Sequence, residues 1–221
     1  AIIIDDLESA FFTTDQMSLM QKYVSERGGG FMALGGLDSL IDGGYGETPV
    51  ESMLPVYLDR GGDDEAIGES RLNITREGML EPWVRLRPTE SQELERLETM
   101  SPFKVVSKVG APKPGATVLL NVVEESTGEV FPGLAVQRYG KGKTAAMMIG
   151  DLWRWQMHDL AQTGEPGKAW RQLIRWLIAD VPEQIEVTVD RMAADANQAV
   201  IVGVRVRDQK FWPTENATVQ L

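Results

Sequence analysis

With 221 residues and 43% hydrophobic content, the chain can bury one sizeable core and a smaller second module, and the lack of any run of about 18 apolar residues excludes a helical membrane span. Zero cysteines exclude disulfides, thiolate metal sites and cysteine nucleophiles, and leave the redox compartment open. The net charge of −11 is concentrated in the first hundred residues, which hold 20 acidic and 8 basic side chains against 13 and 14 in the remainder; such a surface repels phosphate backbones and excludes nucleic acid as a partner.

Ala1–Ile4 reads as a buried strand that meets Asp5-Asp6 too early for a signal peptide, and Ala217–Leu221 reads as a strand stopping mid-module, so the chain is expected to be a segment of a larger polypeptide. Thr13 and Gln16 have capping-box spacing, and Met17, Met20, Tyr23 and Val24 recur at helical intervals, which predicts a helix over 14–27 closed by Gly28. Phe31–Leu34, bounded by glycines, suits a central strand of a parallel sheet. The glycine-rich loop Asp38–Pro49 ends in a second cap, Thr48 to Glu51 with Pro49 at the first helical position, and predicts a short helix through Leu54.

Val56–Leu58 is a weak strand, and the polar, acidic stretch 59–70 reads as a mobile excursion. Strands are predicted at Arg71–Thr75 and Pro82–Leu86, followed by a helix over 89–100. Thr117–Val123 and Ala135–Tyr139 flank the hairpin-like turn Ser126–Glu129, and the turn Gly140–Gly142 leads into a strand at Thr144–Ile149, continuing the same sheet. A helix over Pro166–Ala179 carries Trp170, Leu173, Ile174 and Leu177 on one face. Beyond Pro182 the period changes to two, at Ile185–Val189 and Val200–Val206, which sets a domain boundary between 1–181 and 182–221.

Two nucleotide-like motifs fail on context. Gly142-Lys143-Thr144 ends like a phosphate loop, but Gln137 stands where its first glycine belongs and a strand follows where a helix must open. Gly28, Gly30 and Ala33 approximate a dinucleotide fingerprint, yet Phe31–Leu34 again reads as a strand. His158 is the sole histidine; Asp151, Asp159 and Glu165 near it could form at most a weak carboxylate-rich metal site, and neither metal nor cofactor is expected. Trp153, Trp155, Trp170 and Trp176 could form a sugar-stacking wall, with core packing around a helix and cations from Arg154, Arg171 and Arg175 as the plainer reading. Asp5-Asp6 and Asp63-Asp64-Glu65 read as solvated charge.

The ordered motifs Gly28–Gly36, Ser39, Gly43-Gly44-Tyr45, Thr48-Pro49, Leu54-Pro55-Val56, Arg138–Lys143, Gly150–Trp155 and Trp170–Leu177 resemble the class I glutamine amidotransferase-like domains of large bacterial envelope proteins, which often also carry von Willebrand A modules. The resemblance covers about residues 1–181. It implies an α/β, flavodoxin-like, mostly parallel sheet flanked by helices, then the start of an all-β, immunoglobulin-like module. It also implies an extracytoplasmic, membrane-anchored parent whose other domains are the partners.

In active relatives a cysteine at the elbow after a strand attacks the glutamine amide, assisted by a histidine and a glutamate. Here the elbow offers Gly35, Gly36, Asp38 and Ser39, and the strand end where the histidine belongs reads Gly150-Asp151-Leu152. The expectation is a non-catalytic binding or structural domain with its ligand surface at Gly35, Gly36, Asp38, Ser39, Asp151 and Trp153. One rival is a divergent hydrolase with Ser39 as nucleophile and His158 and Asp151 as base and orienter, although Ser39 lacks a G-x-S-x-G elbow. Another is a carbohydrate-binding module, which requires exposed tryptophan faces.

Overall fold

The computed structural model describes residues 1–59, 67–158, 164–179, 181–190, 201–208, 211–214 and 218. The chain divides into two compact units, Ala1–Asp180 and Val181–Leu221.

In the first unit, β1 (Ile2–Asp5), β2 (Gly30–Leu34), β3 (Ser70–Ile74), β4 (Thr117–Glu124), β5 (Val130–Tyr139) and β6 (Gly142–Met147) form one sheet in the order β1-β2-β6-β5-β4-β3. β1, β2 and β6 pair in parallel, whereas β6-β5, β5-β4 and β4-β3 pair antiparallel, so β1, β2, β4 and β6 share one direction. The helices are α1 (Thr14–Ser25), α2 (Pro49–Met53), α3 (Arg76–Leu80), α4 (Glu90–Thr99), α5 (Trp153–His158) and α6 (Glu165–Ile178).

Local sequence accounts for much of this. The Thr13 hydroxyl accepts the Gln16 amide at 3.2 Å while the Gln16 side chain accepts the Thr13 amide at 2.8 Å, closing both ends of the capping box at the start of α1. Gly28, at φ 76°, reverses the chain after α1, a backbone region that costs a β-carbon residue far more than glycine. β2 alternates strictly. Phe31 and Ala33 join the core on the α1–α2 side, while Met32 and Leu34 join the core containing Leu97 of α4 and Leu173 and Leu177 of α6. Because both faces are covered, all five residues of β2 are buried, which explains a continuous apolar run without polar alternation.

Three expectations change. Pro82–Leu86 is not a strand: the Val84 amide closes a turn on the Glu81 carbonyl, Trp83 stacks on Trp176, and the Leu86 amide goes to the Glu93 carboxylate instead of a ladder. Val56–Leu58 reduces to a single bridge between Val56 and Pro112. The short helices α3 and α5 were not anticipated; α3 is capped by the Thr75 hydroxyl, which accepts the Gly78 amide at 2.9 Å. The excursion expected at 59–70 falls largely on 60–66, outside the described residues.

The second unit contains an antiparallel pair, β7 (Ile185–Asp190) and β8 (Ile201–Val206). Its register sets Ile185, Val187 and Val189 opposite Val206, Val204 and Val202, so one face is entirely apolar and β-branched.

Candidate functional site

In open α/β sheets, ligands collect in the crevice beyond the carboxyl ends of the parallel strands, and here the parallel strands are β1, β2 and β6, with β2 and β6 ending at the glycine elbow and at Gly150-Asp151. The two strands pair up to Leu34 and Met147, and the Gly35 amide adds one more bond to the Met147 carbonyl at 2.6 Å. Beyond that point Val105–Ser107 enters beside the continuation of β6. The Ser107 amide donates to the Met148 carbonyl (2.7 Å), the Gly150 amide donates to the Val105 carbonyl (2.8 Å), and Val106 bridges Ile149. The Ser107 hydroxyl accepts from the Gly36 amide at 3.1 Å and donates to the Gly36 carbonyl at 3.2 Å. The crevice between the strand ends is thus filled by the chain's own backbone.

The glycines make that closure possible. A Cβ on Gly35 would overlap the Met148 carbonyl oxygen, one on Gly36 would overlap the Asp6 carboxylate, and one on Gly150 would lie 2.7 Å from the Gly36 Cα. At Gly35, where the obstacle is backbone, the elbow has no room for a side chain; at Gly36 the obstacle is the side chain of exposed Asp6. Asp38 is exposed beside it, its amide bound to Asp6 Oδ1 at 2.8 Å, and the neighbouring Leu37 is also exposed.

The remaining sequence candidates diverge from this rim. Ser39 turns inward and is 2% exposed, next to a space of about 10 Å³ bounded by Ile4, Phe31, Leu40, Tyr45, Val50 and Leu54. Its hydroxyl has no hydrogen-bond partner among the described residues. Tyr45, the polar neighbour, donates to the Leu7 carbonyl at 2.8 Å, and burial pushes its phenol up to about 12. Asp151, 3% exposed, accepts the Lys104 amide on Oδ2 at 2.9 Å, with Arg154 Nε 3.4 Å from the same oxygen, while its Oδ1 is buried with no partner among the described residues. Asp151 therefore anchors the start of the inserted segment, and Ser107 anchors its end. His158 closes α5, and its side chain lies outside the described structure.

The tryptophans do not form a wall. Trp153 is 59% exposed, whereas Trp155, Trp170 and Trp176 are half-buried against the core that includes α6. Arg154 lies 6.0 Å from the Trp153 ring, but the cations on Trp155 and Trp176 are Arg96 at 5.6 Å and Lys143 at 5.2 Å.

A feature that sequence reasoning missed lies beside α4. Glu93 is fully buried. Its Oε2 accepts the amides of Leu86 (3.0 Å) and Arg87 (2.8 Å), and its Oε1 accepts Arg96 Nε (3.1 Å) and Nη2 (2.5 Å). Burial alone would raise its carboxyl, but the Arg96 hydrogen bond and charge, with the two amides, hold it below the usual 4.5. Arg96 lines a cleft of about 550 Å³ shared by α4, Arg87, Trp155 and Glu165. The available signal was register: Glu93 falls in helical phase with Leu97 and Met100, both buried, which is unusual for a solvated glutamate.

The described unit is an α/β domain whose six-stranded sheet carries helices on both faces. Residues 7–179 match the family GATase1_like, described as "Putative glutamine amidotransferase", and the chain belongs to that family. Two solved structures share the fold: the cytoplasmic protein STM3548 from Salmonella typhimurium (20% identity, TM-score 0.60, 80% of this chain and 70% of that one) and the cytoplasmic protein STM1381 from Salmonella typhimurium LT2 (21%, 0.59, 80% and 71%). No curated protein matches the chain. Among the described residues no helix is long and apolar enough to cross a membrane, and no group of three acidic or histidine side chains is placed to hold a metal ion.

Proposed function

We propose that this domain is a non-catalytic, amidotransferase-like binding or structural module of a larger bacterial polypeptide, working with the other domains of that polypeptide. One observation carries the reading: the crevice at the ends of β2 and β6 is sealed by Val105–Ser107, and Gly35 is pressed against the Met148 backbone, so the elbow presents glycines and no nucleophile. The hydrolase alternative places Ser39 in aliphatic surroundings beside a tyrosine that keeps its proton at neutral pH. Of the four tryptophans that the carbohydrate alternative calls on, Trp153 alone is well exposed, where stacking along a sugar needs several.

The test is incubation of the protein and of its Ser39→Ala variant with glutamine, measuring released ammonia. Background release from both is expected. Release by the natural protein overturns the reading, and release lost in Ser39→Ala establishes the hydrolase instead.

In the second unit, the apolar face of β7–β8 supports the first strands of an immunoglobulin-like sandwich, since such a face needs a second sheet to cover it. The envelope setting rests on the sequence resemblance; both Salmonella neighbours are described as cytoplasmic proteins, and fractionation of cells expressing the full-length product tests it.

A further inference from the structure

We propose that the cleft beside α4 is a binding site for a small zwitterion of the ω-amino-acid type, its carboxylate on Arg96, its methylene chain over Met100 and Trp155, and its ammonium at Glu95. The assignment builds on the reading of the domain as a binding module, but glutaminase activity would overturn that reading without touching this one.

The argument begins with Arg96. A guanidinium has five N–H donors. Nε and one Nη2 hydrogen are engaged by Glu93, and Nη1 donates to the Met100 sulfur at 3.2 Å. Among the described residues this leaves one hydrogen on each Nη for the two oxygens of a carboxylate. The group is preorganised to receive it: its side chain is only 9% exposed, one edge is fixed by a fully buried carboxylate, and its Cζ lies over the Trp155 ring at 5.6 Å from the centroid. Arg87, the other cation of the cleft, is already committed to Glu165.

Charge then selects the rest of the ligand. The residues lining the cleft carry two cations, Arg87 and Arg96, and two carboxylates, Glu95 and Glu165, with Glu93 behind Arg96, so a simple anion finds no net positive charge to draw it in. A ligand that brings its own cation relieves this. Glu95, one residue before Arg96 on α4 and exposed at the cleft, is the carboxylate to receive it. The cleft's volume of about 550 Å³ is within the range of small-molecule sites, and Met100 and Trp155 give it an apolar surface suited to a short alkyl spacer.

The experiment is titration of the intact protein with glycine, 4-aminobutanoate and 6-aminohexanoate, with hexanoate and hexylamine as single-charge controls, read by tryptophan fluorescence and calorimetry. Saturable binding that favours one spacer length is expected, with each control at least tenfold weaker. Glu95→Gln, an exposed change that leaves the buried pair intact, is expected to weaken the zwitterion several-fold and leave hexanoate unchanged. The double variant Glu93→Gln/Arg96→Gln, which swaps the buried ion pair for two amides, is expected to abolish binding. No saturable response from any compound, equal binding of the controls, or affinity unaffected by Glu95→Gln overturns the proposal.

Discussion

At the ends of β2 and β6, three glycines let backbone meet backbone, and the Ser107 hydroxyl fills the last hydrogen-bonding positions. Beside α4, a buried carboxylate and a guanidinium hold open a cleft of about 550 Å³. The first region occupies the place where this fold usually binds ligands, and it is closed by the smallest residues available. The second is lined by a large charged side chain, Arg96, that is fixed by a buried carboxylate rather than by solvent. Position in a fold is therefore a weaker guide to a site than the chemistry that lines it.

Breaking the open region should have the largest effect. Glu93→Ala leaves Arg96 buried without its partner and frees the Leu86 and Arg87 amides, at an expected cost of about 4 kcal/mol in urea unfolding. A loss under about 1 kcal/mol would mean that water replaces the carboxylate and that the cleft is not held by this pair.

Gly35→Ala forces a Cβ against the Met148 carbonyl and should cost about 3 kcal/mol, lowering Tm by roughly 6–12 °C in calorimetry. A variant as stable as the natural protein would show that the seal yields easily, and the contrast between the two regions would fail.

Ser107→Ala keeps the inserted segment but removes the hydroxyl bonded to both polar groups of Gly36, for an expected loss of about 1–2 kcal/mol and faster exchange of the Gly36 amide. The smallest effect is on pH dependence. Glu93 is held below 4.5, so the unfolded chain binds its proton more readily; its contribution is complete above about pH 4.5 and is lost as pH falls through the lower folded value. Glu93→Gln should flatten this acid limb, and an unchanged limb would assign it to other carboxylates.

Much of the frame was legible because local rules and the final packing agreed. The capping box at Thr13, the closure at Gly28 and the apolar run at Phe31–Leu34 each carried their own signal. The misread strand at Pro82–Leu86 and the unseen cleft share one cause: Glu93 takes the amides that would have made a ladder, and a lone glutamate on a charged helix reads as solvated. The seal was hidden for a related reason. Val105–Ser107 has no periodicity of its own, and the groups that anchor it, the Gly36 backbone on the Ser107 hydroxyl and the Asp151 carboxylate on the Lys104 amide, lie far away in sequence. Asp151 and Gly36 were identified as rim residues, but what they hold could not be read from either alone.

The inserted segment also sets an order of assembly. Gly36 and Ser107 are separated by 71 positions and Lys104 and Asp151 by 47, so the gap stays unzipped until synthesis has passed the final parallel strand. A ribosome-bound intermediate ending before Asp151 would expose raw strand termini, and that interval is when chaperone capture should be strongest.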